Sequence, residues 1–304
     1  MSEYHIPVML ESSMDGLAIK PNGIYVDVTF GGGGHSREIL NHLDDKGHLF
    51  VFDQDEDAAS NLWEDDRLTL IVSNFRHLSR WMKYYGVSGR VDGILADLGV
   101  SSHQFDDPQR GFSYRFDEPL DMRMNQQQSF TAADVVNQYD AKQLQQMFSK
   151  YGEITNARTL AEHLVRTRAA GEIKTTGQLA DFATQCAKGN AMRYLSQLFQ
   201  ALRIEINDEI GALKEMLRAA HEVLTPGGRM VVISYHSLED RLVKRFFKTG
   251  KFEGEADTDL FGHRKEYWKV ITSRPLEAEE EEQKQNPRSR SAKLRTAEKV
   301  KNEK

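Results

Sequence analysis

Asp27-Val28-Thr29-Phe30-Gly31-Gly32-Gly33-Gly34-His35-Ser36 is the stretch on which the reading of this chain turns. A β-rich apolar run reaches an acidic residue, four glycines follow, and a helix-like segment begins at Ser36. Glycines in such a turn let a ligand approach the backbone closely, and a strand-to-helix turn is where ligands collect in open α/β sheets. The dinucleotide fingerprint G-x-G-x-x-G fails here. Counted from Gly31 its last glycine falls on Ser36, and counted from Gly32 it falls on Arg37.

Working outward, strand-like runs at 23–30, 48–53, 68–72 and 91–97 alternate with helix-like stretches at 36–43, 55–63 and 75–85. That alternation predicts a parallel sheet with helices on both faces. From 118 to 205 helical stripes take over. Leu144, Met147, Phe148 and Tyr151 fall at i, i+3, i+4, i+7, and Leu179, Phe182, Ala183 and Cys186 repeat the spacing. A long amphipathic helix over 195–224 is expected to stop at the turn Thr225-Pro226-Gly227-Gly228. A fifth parallel strand follows at 229–234, with last strands at 267–272 and 292–299 and an exposed charged loop at 274–291. The expected organisation is a discontinuous α/β domain, 1–117 and 206–304, interrupted by an all-α insertion, 118–205.

The 304 residues carry 40 Lys and Arg against 46 Asp and Glu, a net charge of −6. No run approaches the ~20 apolar residues of a membrane span. The start of the chain shows no basic-then-apolar secretory pattern, and the single cysteine, Cys186, excludes an intramolecular disulfide framework and a cysteine-cluster metal site. A cytoplasmic setting is expected. Positive charge is concentrated locally: eight basic against four acidic residues over 141–200, five against two over 237–251, and seven against two over 286–304. Such patches suit nucleic acid, and they also suit ordinary solvated helix faces.

Asp53 closes the second strand ~20 residues after the glycines, where a carboxylate accepts both hydroxyls of an adenosine ribose. The alternative for a strand-end aspartate is capping the next helix, a task that suits Asp55 better. Asp97 ends the fourth strand, across the sheet's switch point. Phe75, after the third strand, is placed to pack against an adenine or simply against the core. His35 sits beside the glycines as a ligand contact, and no His-x-x-x-His pair supports a metal site, so none is expected. Cys186, on an apolar helical stripe, reads as a small buried hydrophobe.

An acidic residue just ahead of a glycine turn resembles the first motif of S-adenosylmethionine-dependent methyltransferases. The resemblance then narrows to the bacterial ribosomal RNA small subunit methyltransferase H family. It is carried by His5-Ile6-Pro7-Val8-Met9-Leu10, by Asp27 to Ser36 and by Asp92-Gly93-Ile94-Leu95-Ala96-Asp97-Leu98-Gly99-Val100-Ser101-Ser102. It continues through Arg110-Gly111-Phe112-Ser113, Pro119-Leu120-Asp121-Met122-Arg123-Met124 and Gln200-Ala201-Leu202-Arg203-Ile204. Ile233-Ser234-Tyr235-His236-Ser237-Leu238-Glu239-Asp240-Arg241 and Asn286-Pro287-Arg288-Ser289-Arg290-Ser291 complete it, so nearly the whole chain is covered.

The resemblance implies a class I, Rossmann-like methyltransferase domain with an inserted helical domain for substrate recognition. It implies S-adenosyl-L-methionine as cofactor, held by Gly33, Gly34, His35, Asp53, Phe75, Asp97 and Gln104. It further implies N4-methylation of a cytidine in 16S rRNA, in the decoding (P-site) region, with the rRNA or the small ribosomal subunit as partner. One departure stands out. The family commonly has Thr-Arg-Thr-Phe before the Gln-Ala-Leu-Arg-Ile block, and this chain has Ser196-Gln197-Leu198-Phe199, which removes a basic side chain.

An exocyclic amine needs an aligned methyl donor and a hydrogen-bond acceptor, and Asp97 is the candidate acceptor. The usual Asn/Asp-Pro-Pro-Tyr/Phe signature is absent, since Leu98-Gly99 follows Asp97. Methylation at cytosine C5 demands a cysteine nucleophile, which Cys186 on the insertion is poorly placed to be. Phe112, Tyr114, Arg110 and Arg123 are candidates to hold a splayed base, with loop packing and structural ion pairs as the competing role. Three other classes compete: a methyltransferase for a small molecule or protein, a non-catalytic RNA-binding factor, and a nicotinamide oxidoreductase. The basic regions, the intact set Asp27, Gly33, Asp53 and Asp97, and the missing third glycine weigh against them in turn.

Overall fold

A computed structural model describes residues 7–258 and 262–301. His5 and Ile6, which open the first family-like block, lie outside the described residues. The strands are β1 (Ile24–Asp27), β2 (His48–Asp53), β3 (Leu68–Val72), β4 (Val91–Asp97), β5 (Leu224–Ser234), β6 (Trp268–Val270) and β7 (Lys293–Lys299). They form one sheet in the order β3-β2-β1-β4-β5-β7-β6. The first five are parallel, and β7 and β6 are antiparallel additions at one edge. This is the expected α/β, class I arrangement.

Strand side chains alternate between two buried layers, as the period of two requires. Val26, Phe50, Phe52, Ile94, Ala96, Met230 and Val232 enter one cluster, which the helices Leu78–Tyr84, Glu209–Val223 and Ser237–Thr249 cover. Tyr25, Leu49, Val51, Leu95, Val231 and Ile233 enter the other, under Leu10–Leu17 and Gly34–Asn41. Burial on both faces is why these strands read as continuous apolar runs.

The chain divides into two compact units, one of residues 1–99 and 211–304 and one of 100–210. The second is all-helical: Ala132–Gln138, Ala141–Gly152, Ala157–Arg168, Thr176–Cys186 and Ala191–Asn207 surround Leu144, Phe148, Leu160, Leu164, Leu198 and Leu202. Capping boxes start three of these helices, at Thr131, Asp140 and Thr175. The unit begins before residue 118 because Phe112 is buried in its core, with Val100, Phe105 and Tyr114 packed against it.

Three expectations are corrected. The single helix over 195–224 is two helices, Ala191–Asn207 and Glu209–Val223, because Asp208 takes a left-handed conformation (φ 46°) that ends the first. Thr225 to Gly228 form a bulge within β5: Leu224 pairs with Val91 while Arg229 already pairs with Gly93. Residues 274–291 are largely exposed, as expected, but they are not a loop. They hold the helix Glu280–Gln285 and the turn Pro287–Ser291, with Ala278 and Ser289 buried and Glu282 Oε1 accepting the Met9 N–H at 2.8 Å.

Candidate active site

The sheet order reverses between β1 and β4, and the carboxyl ends of strands at such a switch point are where open α/β sheets bind their ligands. Asp27, at the end of β1, is buried and wholly engaged: Oδ2 accepts the Ser36 hydroxyl at 2.6 Å and Oδ1 accepts the Thr29 N–H at 3.0 Å. It ties the glycine turn to the helix Gly34–Asn41. The Thr29 hydroxyl in turn accepts the Asp97 N–H at 2.7 Å, joining the ends of β1 and β4. Asp27 is thus the brace of the turn.

Gly33 stands at φ 75°, the left-handed region where a Cβ is strained, and an added Cβ would also meet the Trp63 ring at 2.8 Å. A Cβ on Gly34 would collide with the Pro7 ring, so the segment before the first helix lies directly on the turn. His35 is buried, and its Nε2 lies 3.0 Å from the Val8 carbonyl oxygen. That carbonyl can only accept, so Nε2 carries the proton and Nδ1 is the acceptor in neutral imidazole. His35 Nδ1 faces Asp97 Oδ2 at 3.8 Å.

Asp53 ends β2, and its oxygens accept the Gly31 N–H and the Asp55 N–H, each at 2.9 Å. Burial pushes its carboxyl up to about 6 against the pull of those two donors. Asp55, as expected, caps the following turn by accepting the Asp57 N–H. Asp97 ends β4 and accepts the Tyr235 hydroxyl on Oδ1 at 2.7 Å. Burial raises its carboxyl to about 6 as well, opposed by His35 and by the Tyr235 hydrogen bond. Phe75 opens the turn after β3, half-buried against the first core layer.

Six of the seven expected cofactor residues therefore belong to the α/β unit, and Gln104 belongs to the helical one. There it is buried on the short helix Ser102–Asp106 with Oε1 accepting the Ser101 N–H at 3.2 Å. Sequence reasoning did not single out Tyr235 or Thr29. Tyr235 stood inside a family-like block, one residue past β5, and that position next to the crevice was the available signal.

The residues proposed to clasp a base are otherwise employed. Arg110 is buried and donates to the Arg123 and Met124 carbonyls at 3.1 and 3.2 Å, and Arg123 pairs with Asp121 at 2.6 Å. Phe112 is core, and Tyr114 sets its ring edge-on to Phe199 at 5.2 Å. Cys186 is half-buried with Sγ 3.1 Å from His163 Nδ1, and burial pushes its thiol up. Gln197, where the family commonly has arginine, lies within the helix Ala191–Asn207, between the exposed Ser196 and the buried Leu198.

The model of the MraW methylase family matches residues 2–300. The chain belongs to this family. Among its relatives, the ribosomal RNA small subunit methyltransferase H of Parabacteroides distasonis is 56% identical over 298 residues, 98% of each chain. The protein of the same name from Flavobacterium johnsoniae is 53% identical over 299 residues, again 98% of each.

The donors present suit an adenosine-bearing group at the end of β2. Each Asp53 oxygen accepts one backbone N–H and keeps a lone pair able to accept a further hydroxyl. A Cβ built on Gly32 meets nothing within 4 Å, so the turn has room beside its backbone.

Proposed function

We propose that this protein is an S-adenosyl-L-methionine-dependent rRNA methyltransferase that N4-methylates a cytidine of 16S rRNA in the decoding (P-site) region of the small ribosomal subunit. The cofactor residues are Gly33, Gly34, His35, Asp53, Phe75, Asp97 and Gln104, the last on the resemblance alone. Residues 118–205 serve substrate recognition, and the partner is 16S rRNA or the small subunit in the cytoplasm. No described helix is long and apolar enough to cross a membrane.

When bound, the cofactor supplies a methyl group on a sulfonium, ready for in-line displacement. The chain supplies position and a proton acceptor. Asp53 takes the ribose hydroxyls, Gly33 and Gly34 let the ligand lie against the backbone, and Phe75 flanks the base. Asp97 accepts from the cytidine N4 amine, whose lone pair is delocalised until a hydrogen is drawn off.

The observation that favours N4 over a ring carbon is the state of the thiol. Carbon methylation needs a thiolate, and the only cysteine is half-buried against the helical core with its thiol pushed up. Nucleoside mass spectrometry of 16S rRNA, from cells with and without this chain, tests the reading. N4-methylcytidine should depend on the chain, and 5-methylcytidine in its place would refute the mechanism.

A further inference from the structure

We propose that Tyr235 is a positioning residue that turns the Asp97 carboxylate so that Oδ2, paired with His35 Nδ1, receives the proton released by the substrate amine. The inference rests on the reading of Asp97 as the acceptor.

Three elements converge on Asp97. The Tyr235 hydroxyl, just past β5, donates to Oδ1 at 2.7 Å, so that oxygen is committed. The Tyr235 N–H donates to Glu239 Oε2 at 3.0 Å, which anchors the residue to the helix Ser237–Thr249. The Asp97 N–H is held by Thr29 on the β1 turn. Oδ2 accepts no hydrogen bond among the described residues, and it faces His35 Nδ1 across 3.8 Å. The Val8 carbonyl takes the Nε2 proton, so in the neutral imidazole Nδ1 is an acceptor that faces a second acceptor, Oδ2. Two acceptors held this close make a place for one proton.

The step balances as follows. The N4 lone pair forms the nitrogen–carbon bond, the carbon–sulfur electrons stay with sulfur, and one N4 proton passes to Asp97 Oδ2. His35 Nδ1 then accepts that proton or shares it, with Nε2–H still bonded to the Val8 carbonyl. Among the described residues, His35 from the first helix after the glycines, Tyr235, Asp27 at the end of β1 and Glu239 from the helix after β5 act electrostatically on Asp97. Tyr235 also faces Glu282, and its phenol is raised well above 10, first by burial, so it stays a donor throughout the working range.

The test compares wild type, Tyr235→Phe and Asp97→Asn. It measures single-turnover rates against pH at saturating cofactor, and cofactor affinity by calorimetry. Tyr235→Phe should leave cofactor Kd within about twofold yet lower the pH 7 rate by roughly tenfold or more, as for a misplaced reacting group. Its acid limb should move to higher pH, because the lost hydrogen bond favours the ionised carboxylate. A Tyr235→Phe variant with the wild-type rate and limb overturns the proposal while leaving Asp97 as acceptor, provided Asp97→Asn is inactive. An active Asp97→Asn overturns the acceptor reading itself. If Tyr235→Phe does not fold, 3-fluorotyrosine incorporated at 235 keeps the hydroxyl and strengthens it as a donor. The limb should then move to lower pH, and an unmoved limb overturns the proposal.

Discussion

Asp53 and Asp97 share a chemistry that their surroundings force on them. Each ends a parallel strand, each is pushed to about 6 by burial, and each keeps an oxygen able to accept. A carboxyl raised in the folded state binds more protons than the unfolded chain between about 4 and 6. Its contribution to stability is therefore present at low pH and lost as pH rises through 6. The same ionisation makes it a strong acceptor for hydroxyl and amine donors. Asp53→Ala should weaken S-adenosylmethionine by about 1.5–3 kcal/mol, the worth of a hydrogen bond to a charged group. Wild-type affinity should also fall as pH drops through about 6. Calorimetry at pH 5 and 7.5, with circular dichroism as a check on folding, measures both. An unchanged Kd in the variant removes Asp53 from the ribose site.

At the scale of elements, caps and turns decide where helices stop. Ala18 ends the helix Leu10–Leu17 in the left-handed region, at φ 48°, with its side chain exposed. Glycine adopts that conformation freely. Ala18→Gly should therefore stabilise the protein by roughly 0.5–1 kcal/mol, after the greater freedom of an unfolded glycine is set against the relieved strain. Thermal unfolding measures this, and a lower Tm would show that the strain is absorbed elsewhere. Asp208 shows the same device with a larger consequence, dividing what periodicity reads as one helix. Its apolar stripe continues on both sides of the break, from Leu198 and Leu202 to Leu213 and Leu217, so no gap in the pattern marks it.

On the scale of the molecule, charge is distributed against the sum. The chain is acidic by six charges, yet the last basic stretch, around Arg288, Arg290 and Lys293, is packed structure. Ser289 is buried between the two arginines, and Arg290 Nε donates to the Gln283 carbonyl at 3.2 Å. Lys293 begins β7 opposite Ser234, the last residue of β5, which puts this stretch at the same end of the sheet as Asp97. If these cations meet RNA phosphates, affinity falls with salt by a slope of roughly −0.7 per contact on single strands. Neutralising Arg288, Arg290 and Lys293 together should flatten that slope and leave cofactor affinity alone. Loss of cofactor binding with an unchanged slope would make the segment structural only.

The sequence by itself determined the sheet and the acidic residues that end its strands. β2, β3 and β4 fall at the residues read for them, and Asp53 and Asp97 end the strands they were expected to end. Buried parallel strands write themselves as apolar runs, and glycine turns have no other residue to use. Only the tertiary structure decided how the functional side chains are engaged. That Tyr235 reaches Asp97 across 138 residues of sequence depends on β5 lying beside β4. That Arg110 and Arg123 are spent on carbonyls and on Asp121, and that the acidic run ending at Glu282 folds onto Met9, depends equally on packing. Local periodicity and turn chemistry act over a few residues, whereas a polar group's partner is set by whichever distant segment the core brings beside it.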